Sequence, residues 1–223
     1  MEKKNTSKIA IIGYGHIAEV AAADLVRNNR PVIIAGRDFS KTKNLAEKLG
    51  SLVKPMEIGA AVREADIIIL AIWFDAIQPF FYQYEDMLQG KIIVDPSNPI
   101  APDGKGGFVK TIGPNESAGQ RNASSLPKNA KLVKALGTLS AGALASASNR
   151  KPDQAVLFYA TDEKSVDAVA EELIRDMGFA PLRIGGLDQS IRLEVFGDLH
   201  EFGALGKTVS LQEAMKITNT ISV

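Results

Sequence analysis

Residues 8–18 read Lys8, Ile9, Ala10, Ile11, Ile12, Gly13, Tyr14, Gly15, His16, Ile17, Ala18. An apolar, β-type run ends in Gly-x-Gly-x-x-Ala and passes without a break into an Ala-rich helical pattern. Strand, glycine turn and helix in that order open a dinucleotide-binding βαβ unit. Gly13 permits the tight turn off the strand, and Gly15 has no Cβ to hold a pyrophosphate away from the backbone. Ala18 replaces the usual third glycine and is small enough for the helix to lie close on the strand. The helix start offers free N–H groups and a positive dipole end to the phosphates. Gly13, Tyr14, Gly15, His16 and Ile17 are therefore candidate cofactor-binding residues. The alternative is a plain tight turn with no ligand, and the N-terminal strand–turn–helix context favours the nucleotide.

Outward from this stretch, Ile17, Ala18, Ala21, Ala22, Leu25 and Val26 recur at helical spacing. A turn at Asn28, Asn29, Arg30 and Pro31 leads to Val32, Ile33, Ile34 and Ala35, a continuous apolar run expected of a parallel strand covered on both faces. The next residue decides the coenzyme, because NAD-selective folds place an acid there for the ribose hydroxyls. This chain has Gly36, then Arg37, with Lys41 and Lys43 close behind and Asp38 two positions on. A guanidinium at Arg37 pairs with a phosphate and stacks on adenine. These cations are otherwise those of a solvated turn, but cations at a helix start oppose its dipole and need another reason. NADP(H) is preferred over NAD(H).

The pattern continues as a helix over 40–49, a short strand at 52–54, a helix over 58–64 and a buried strand at 66–71. Ala71, Ile72, Trp73 and Phe74 then leave the carboxyl end of a strand, where open parallel sheets bind ligands. The two aromatics fit a nicotinamide wall or ordinary packing. A strand at 91–95 runs into Asp95, Pro96, Ser97, Asn98 and Pro99, a rigid polar turn that suits a carboxamide or ribose, or satisfies its own backbone as an Asx turn. The Gly-rich segment 101–114 reads as a flexible loop or lid. A helix over 116–126 and a sixth strand at 131–135 follow, running into Leu136, Gly137 and Thr138. A further strand–helix–strand unit spans 155–160, Val166 to Met177 and 181–184, with Gly178 capping the helix. The tail reads as helical from Ser190 to about Glu201, with His200 on an amphipathic face, and as less regular afterwards. The fold expected is a Rossmann-type, doubly wound, mainly parallel α/β sheet. Residues 1–139 form the NADP-binding domain, and 140–223 a smaller C-terminal α/β subdomain packed on it. That last segment leaves no room for the long all-helical second domain of β-hydroxy-acid dehydrogenases.

Of the 223 residues 45% are hydrophobic, and 26 basic residues balance 26 acidic ones. No basic field offers itself to nucleic acid or an anionic membrane. The absence of cysteine excludes disulfides and thiol chemistry within this chain, and two histidines argue against a metal site. Residues 1–7 are polar, unlike a secretory signal. The longest apolar run, 67–74, is far short of the roughly 20 residues a membrane helix needs. A cytoplasmic protein is expected.

Taken together, the segments IGYGHIA, Gly36–Arg37 with Lys41, AIWFDAI, DPSNPI, NESAGQRNASSL, LVKALGTLSAGA and FAPLRIGG resemble the NADP oxidoreductases that use a deazaflavin coenzyme. They resemble equally the cytosolic reductase domain of the six-transmembrane epithelial antigen metalloreductases. The resemblance covers nearly the whole chain and implies two-electron hydride transfer between NADP(H) and a flavin or deazaflavin-like small-molecule acceptor. It implies that the glycine loop holds the pyrophosphate, and that Arg37 with Lys41 holds the 2′-phosphate. It places Ile72 to Phe74, Ser97, Asn98, Pro99, Leu136, Gly137 and Thr138 around the nicotinamide. It also implies a homodimer that completes the acceptor site. Two departures stand out: Gly36 replaces a usual Ser, and Leu136–Gly137 replaces a usual Phe-Asn.

No Ser–His–Asp set, carboxylate pair or metal cluster is legible, so no catalytic residue is assigned. His16 fits a phosphate contact or a helix cap, and His200 a structural role. Three functions stay open. One is hydride transfer to a planar ring acceptor, in which the cofactors carry the chemistry and the protein supplies alignment. Another is reduction of a small carbonyl or imine, which needs a proton donor from Tyr14, Thr138 or Ser140. The third is a non-catalytic NADP(H)-binding sensor module.

Overall fold

The computed structural model describes residues 7–220; of the polar stretch at 1–7, all but Ser7 lies outside them. Strands β1 (Ile9–Ile12), β2 (Val32–Ala35) and β3 (Val53–Met56) alternate with helices α1 (His16–Arg27), α2 (Phe39–Leu49) and α3 (Ile58–Glu64). β4 (Ile67–Leu70) is followed by α4 (Ile77–Gln83), α5 (Glu85–Leu88) and β5 (Ile92–Asp95). β6 (Ile100–Pro102) and β7 (Phe108–Lys110) precede α6 (Ala118–Ser124), β8 (Lys131–Ala135), α7 (Ala141–Ala147) and β9 (Val156–Ala160). α8 (Asp167–Asp176), β10 (Ala180–Arg183), α9 (Ser190–Leu193) and α10 (Leu211–Thr220) complete the chain.

Eight strands form one sheet in the order β10-β9-β8-β5-β4-β1-β2-β3. The six from β8 to β3 are parallel, whereas β9 runs antiparallel to β8 and β10 parallel to β9. This is the doubly wound Rossmann-like α/β fold. Its apolar runs are continuous because both faces are covered: Ile9 and Ile11 enter one core layer with α1, α2, α7 and α8, and Ala10 and Ile12 enter the other with α3 and α4. The order reverses between β1 and β4, so the loops after those strands part and leave a crevice at their carboxyl ends.

Three elements differ from the sequence reading. Segment 101–114 is not simply loop, since β6 and β7 pair as an antiparallel hairpin. The tail holds only one turn of helix, α9, and then folds irregularly through His200. A full helix, α10, follows where irregular chain was expected. Its start is a capping box: the Ser210 hydroxyl accepts from Glu213 N–H at 3.3 Å and the Glu213 carboxylate accepts from Ser210 N–H at 2.8 Å. The Ser210 N–H and hydroxyl, both donating to that carboxylate, and Lys207 hold the Glu213 carboxyl down at about 2.

One buried acid is expected to cost stability at neutral pH. Asp24, on the face of α1 turned to α7, is 1% exposed, and burial pushes its carboxyl up to about 6 against the opposing pull of Ser148 and Arg27. A carboxyl that binds its proton more tightly when folded contributes stability below about pH 4 and loses it as the pH rises through 6. Asp24→Asn is therefore expected to stabilise the protein at pH 7 by about 2 kcal/mol and to flatten this part of the pH profile. Urea unfolding at pH 4 and pH 7 tests it; equal stability differences at the two pH values would contradict the assignment.

Candidate functional site

A cavity of about 940 Å³ runs along the carboxyl ends of β2, β1, β4, β5 and β8. Gly36, Arg37 and Ile58 lie at one end, Gly13 to Ile17 in the middle, and Ile72, Trp73, Ser97, Asn98 and Gly137 towards the other. Ala71 also borders it. Lys41, Pro99 and Thr138, predicted for the same site, do not line it. Pro99 and Thr138 are buried beneath it, and Lys41 stands behind Tyr14 with its ammonium 5.8 Å from the ring centroid.

Gly13 is needed here twice over. Its φ is +132°, and a Cβ would meet the Ala71 carbonyl oxygen at 2.2 Å, so β1 and β4 part only over a bare backbone. Ala18 is fully buried against the sheet, as a close helix–strand contact requires. Nothing lies within 4 Å of a Cβ built on Gly15. No side chain caps α1, and His16 is exposed on the cavity wall, which leaves the first-turn N–H groups facing the trough.

At the Gly36 end the charges sort themselves. Asp38 caps α2, its Oδ1 accepting from Lys41 N–H at 3.1 Å, so that carboxylate is committed to the helix. Lys43 pairs with Glu47 at 3.8 Å and points away from the cavity. Arg37 is exposed on the wall and has no hydrogen bond or ion pair among the described residues. The Tyr14 ring lies directly over Gly36.

The far end stands on a polar network that the sequence reading missed. Lys134, 1% exposed, donates to the Asp95 carboxylate at 3.1 Å and to the Ser97 carbonyl. Asp95 also accepts from Ser97 N–H at 2.7 Å and from the Asn122 amide at 2.9 Å. Glu194, equally buried, accepts from the N–H groups of Ala118 and Gly119 at 3.0 Å each. Burial pushes the Glu194 carboxyl up, and Lys134 and those two N–H groups pull it back. One signal was available: a lysine between Val133 and Ala135 in an apolar strand is a buried charge in need of a partner. Its partners, Asp95 and Asn122, come from other elements.

Above this network the Asn98 side chain donates to the Gly137 carbonyl at 3.0 Å and accepts from Val195 N–H at 2.7 Å. It therefore ties the loops after β5 and β8 to the tail, and the Asx turn belongs to Asp95. A Cβ on Gly137 would lie 2.6 Å from the Pro96 carbonyl oxygen, so residue 137 is bare because two loops touch. Leu136 beside it is buried at φ +66°. Trp73, 62% exposed, is cavity rim and not core. His200 lines the cavity from a turn, with no helix beneath it. Its Nδ1 accepts from Phe202 N–H at 2.9 Å, so the ring proton sits on Nε2. Burial lowers its pKa, more than Glu201 and the Gly137 carbonyl raise it.

Residues 8–99 match the model of the family described as NADP oxidoreductase, coenzyme F420-dependent. Over that stretch the chain is similar to this family. Among curated proteins, Metalloreductase STEAP3 of Rattus norvegicus is 29% identical over 191 residues, 86% of this chain and 36% of the relative. The chain thus spans about a third of that relative's length. The F420-dependent NADP reductase of Methanocaldococcus jannaschii is 25% identical over 222 residues, covering 95% of this chain and 98% of the relative. Among solved structures, hypothetical protein SMa0349 from Sinorhizobium meliloti superimposes with a TM-score of 0.81 at 28% identity, over 92% of this chain and 96% of that one. The resemblance drawn from scattered motifs is thus shared by the family model and by these two curated relatives. The family match ends at residue 99, before Gly137, Val195 and His200. Among the described residues no helix is long and apolar enough to cross a membrane, and no group of three or more acidic or imidazole side chains could hold a metal ion.

Proposed function

We propose that this chain is an NADP(H)-linked oxidoreductase that passes a hydride between the nicotinamide and a planar ring acceptor of the flavin or deazaflavin kind. The observation that carries the reading is one continuous cavity with an uncommitted Arg37 at its ribose end and a wall of Trp73, Phe108 and Phe202 at the other. NADP(H) supplies the hydride chemistry when bound. The chain's own residues hold and align. Gly13 to Ile17 offer bare backbone and helix N–H groups to a pyrophosphate. Arg37 offers a guanidinium to a 2′-phosphate, and no free carboxylate stands there to bind the hydroxyl of NAD. Ser97, Asn98 and Gly137, locked by their own network, form a rigid floor for a ring. The aromatic rim excludes water and gives an acceptor a face to stack on. In this reading residues 1–139 bind the coenzyme and 140–223 bring Val195, His200 and Phe202 to the acceptor.

The carbonyl or imine reading needs a proton donor in the cavity, and of its sequence candidates Tyr14 and Thr138 are poorly placed for one. Tyr14 packs on Gly36 and Thr138 is buried outside the lining, whereas Ser140, whose hydroxyl accepts from Ala143 N–H and keeps its own proton, and His200 line the cavity, so the acceptor screen decides between the two readings.

The test is an acceptor screen with NADPH against a flavin, a deazaflavin, a ferric chelate, and small ketones and imines. NADPH is expected to be oxidised with the ring acceptors and not with the ketones or imines. Turnover with a ketone or imine alone would overturn the reading, and tight NADPH binding without turnover on any acceptor would favour a sensor module. A cytoplasmic location and a homodimer completing the acceptor site accompany the proposal. The resemblance to the family and the exposed apolar residues at the cavity mouth support the homodimer. A monomeric mass by light scattering at micromolar concentration would remove it.

A further inference from the structure

We propose that Tyr14 sets the coenzyme preference of this site, by standing where a ribose-binding carboxylate would have to stand. The inference rests on the glycine loop being the NADP(H) site and concerns what that site refuses.

The position that carries an acid in NAD-selective folds directly follows the second strand. Here it is Gly36, and its φ lies outside the left-handed region, so the backbone accepts any L-residue. Space does not. A Cβ at residue 36 would lie 2.4 Å from Tyr14 Cδ1, 2.8 Å from Cε1 and 3.1 Å from the Thr42 hydroxyl. Neither neighbour yields easily. The Tyr14 ring packs against the core layer that includes Ile9, Ile11 and Ala18, with the Lys41 ammonium near its face. Thr42 is fully buried and donates its hydroxyl to the Asp38 carbonyl at 2.9 Å. The nearest acid along the chain, Asp38, is held as the cap of α2. An aromatic ring thus occupies the volume of the carboxylate that would bind a ribose hydroxyl and repel a 2′-phosphate. The 2′ position is left to Arg37, which has no partner among the described residues, with Lys41 behind it. Discrimination comes from exclusion as much as from attraction. The arrangement also accounts for the glycine that replaces the family's usual serine: position 14 dictates position 36.

The test uses adenosine 2′,5′-bisphosphate and adenosine 5′-monophosphate as probes, titrated calorimetrically so that no acceptor is involved. The wild type is expected to prefer the bisphosphate by about tenfold or more, the size of one charge-assisted contact. Gly36→Asp should weaken both probes, because the new side chain meets the ring. Tyr14→Ala should keep the bisphosphate preference, since no acid has been added. The double variant, Tyr14→Ala with Gly36→Asp, should reverse the preference. As a milder pair, Gly36→Ala should cut affinity for both probes and recover when Tyr14→Ala is added, with circular dichroism confirming the fold. Gly36→Asp reversing the preference by itself as fully as the double would overturn the proposal, as would a double variant that still favours the bisphosphate. A wild type that favours neither probe would instead overturn the underlying NADP(H) reading, a separable failure.

Discussion

Replacing Lys134 by Ala is expected to lower the free energy of unfolding by about 3–5 kcal/mol, the usual cost of stranding one member of a buried ion pair. Lys134 is 1% exposed and Asp95 wholly buried, with 3.1 Å between them. Without the ammonium, Asp95 retains only the Ser97 N–H and the Asn122 amide, and the Ser97 carbonyl loses its donor. Urea unfolding at neutral pH measures the effect, and Lys134→Met combined with Asp95→Asn should recover part of it, because the stranded Asp95 charge is then removed as well. A loss below about 1 kcal/mol for Lys134→Ala would show that the pair does not support the fold in this way. The functional side of the prediction follows from geometry. The same ammonium holds the Ser97–Asn98 turn, so coenzyme affinity should fall even where Lys134→Ala is still folded.

Arg37→Ala is expected to weaken NADPH binding by about 10–100-fold, the worth of a hydrogen bond to a charged group, while changing NADH binding by less than about threefold. Arg37 makes no intramolecular bond among the described residues, so its removal should leave stability almost untouched and act on the ligand alone. The loss should shrink at high salt, because the contact lies at an exposed site. Fluorescence titration of both coenzymes at two salt concentrations decides it. Equal losses for NADPH and NADH would remove Arg37 from the 2′-phosphate.

The half of the cavity proposed for the coenzyme was legible in the sequence because its parts are local. A strand, a glycine turn and a helix start follow one another within eleven residues, and the ribose end is one strand further on. The half proposed for the acceptor was not. Asn98 is satisfied by Gly137 and Val195, 39 and 97 residues away, so a polar turn that looked self-contained is a tie between three parts of the chain. His200 was assigned to a helix face because apolar residues surround it at roughly helical spacing. The chain instead turns there, and the ring faces the cavity. The Ser210–Glu213 box was a readable signal for α10 and went unread.

The sequence by itself determined the doubly wound class, the glycine turn and the missing acid after β2, since period, turn chemistry and residue type act over a few neighbouring positions. Only the tertiary structure decided why that acid is missing. The Tyr14 ring reaches Gly36 across 22 residues of chain, and steric exclusion between side chains from different strand ends has no local signature. It also decided that Gly137 is a contact between two loops, and that Lys134 is the buried charge beneath the Ser97–Asn98 turn.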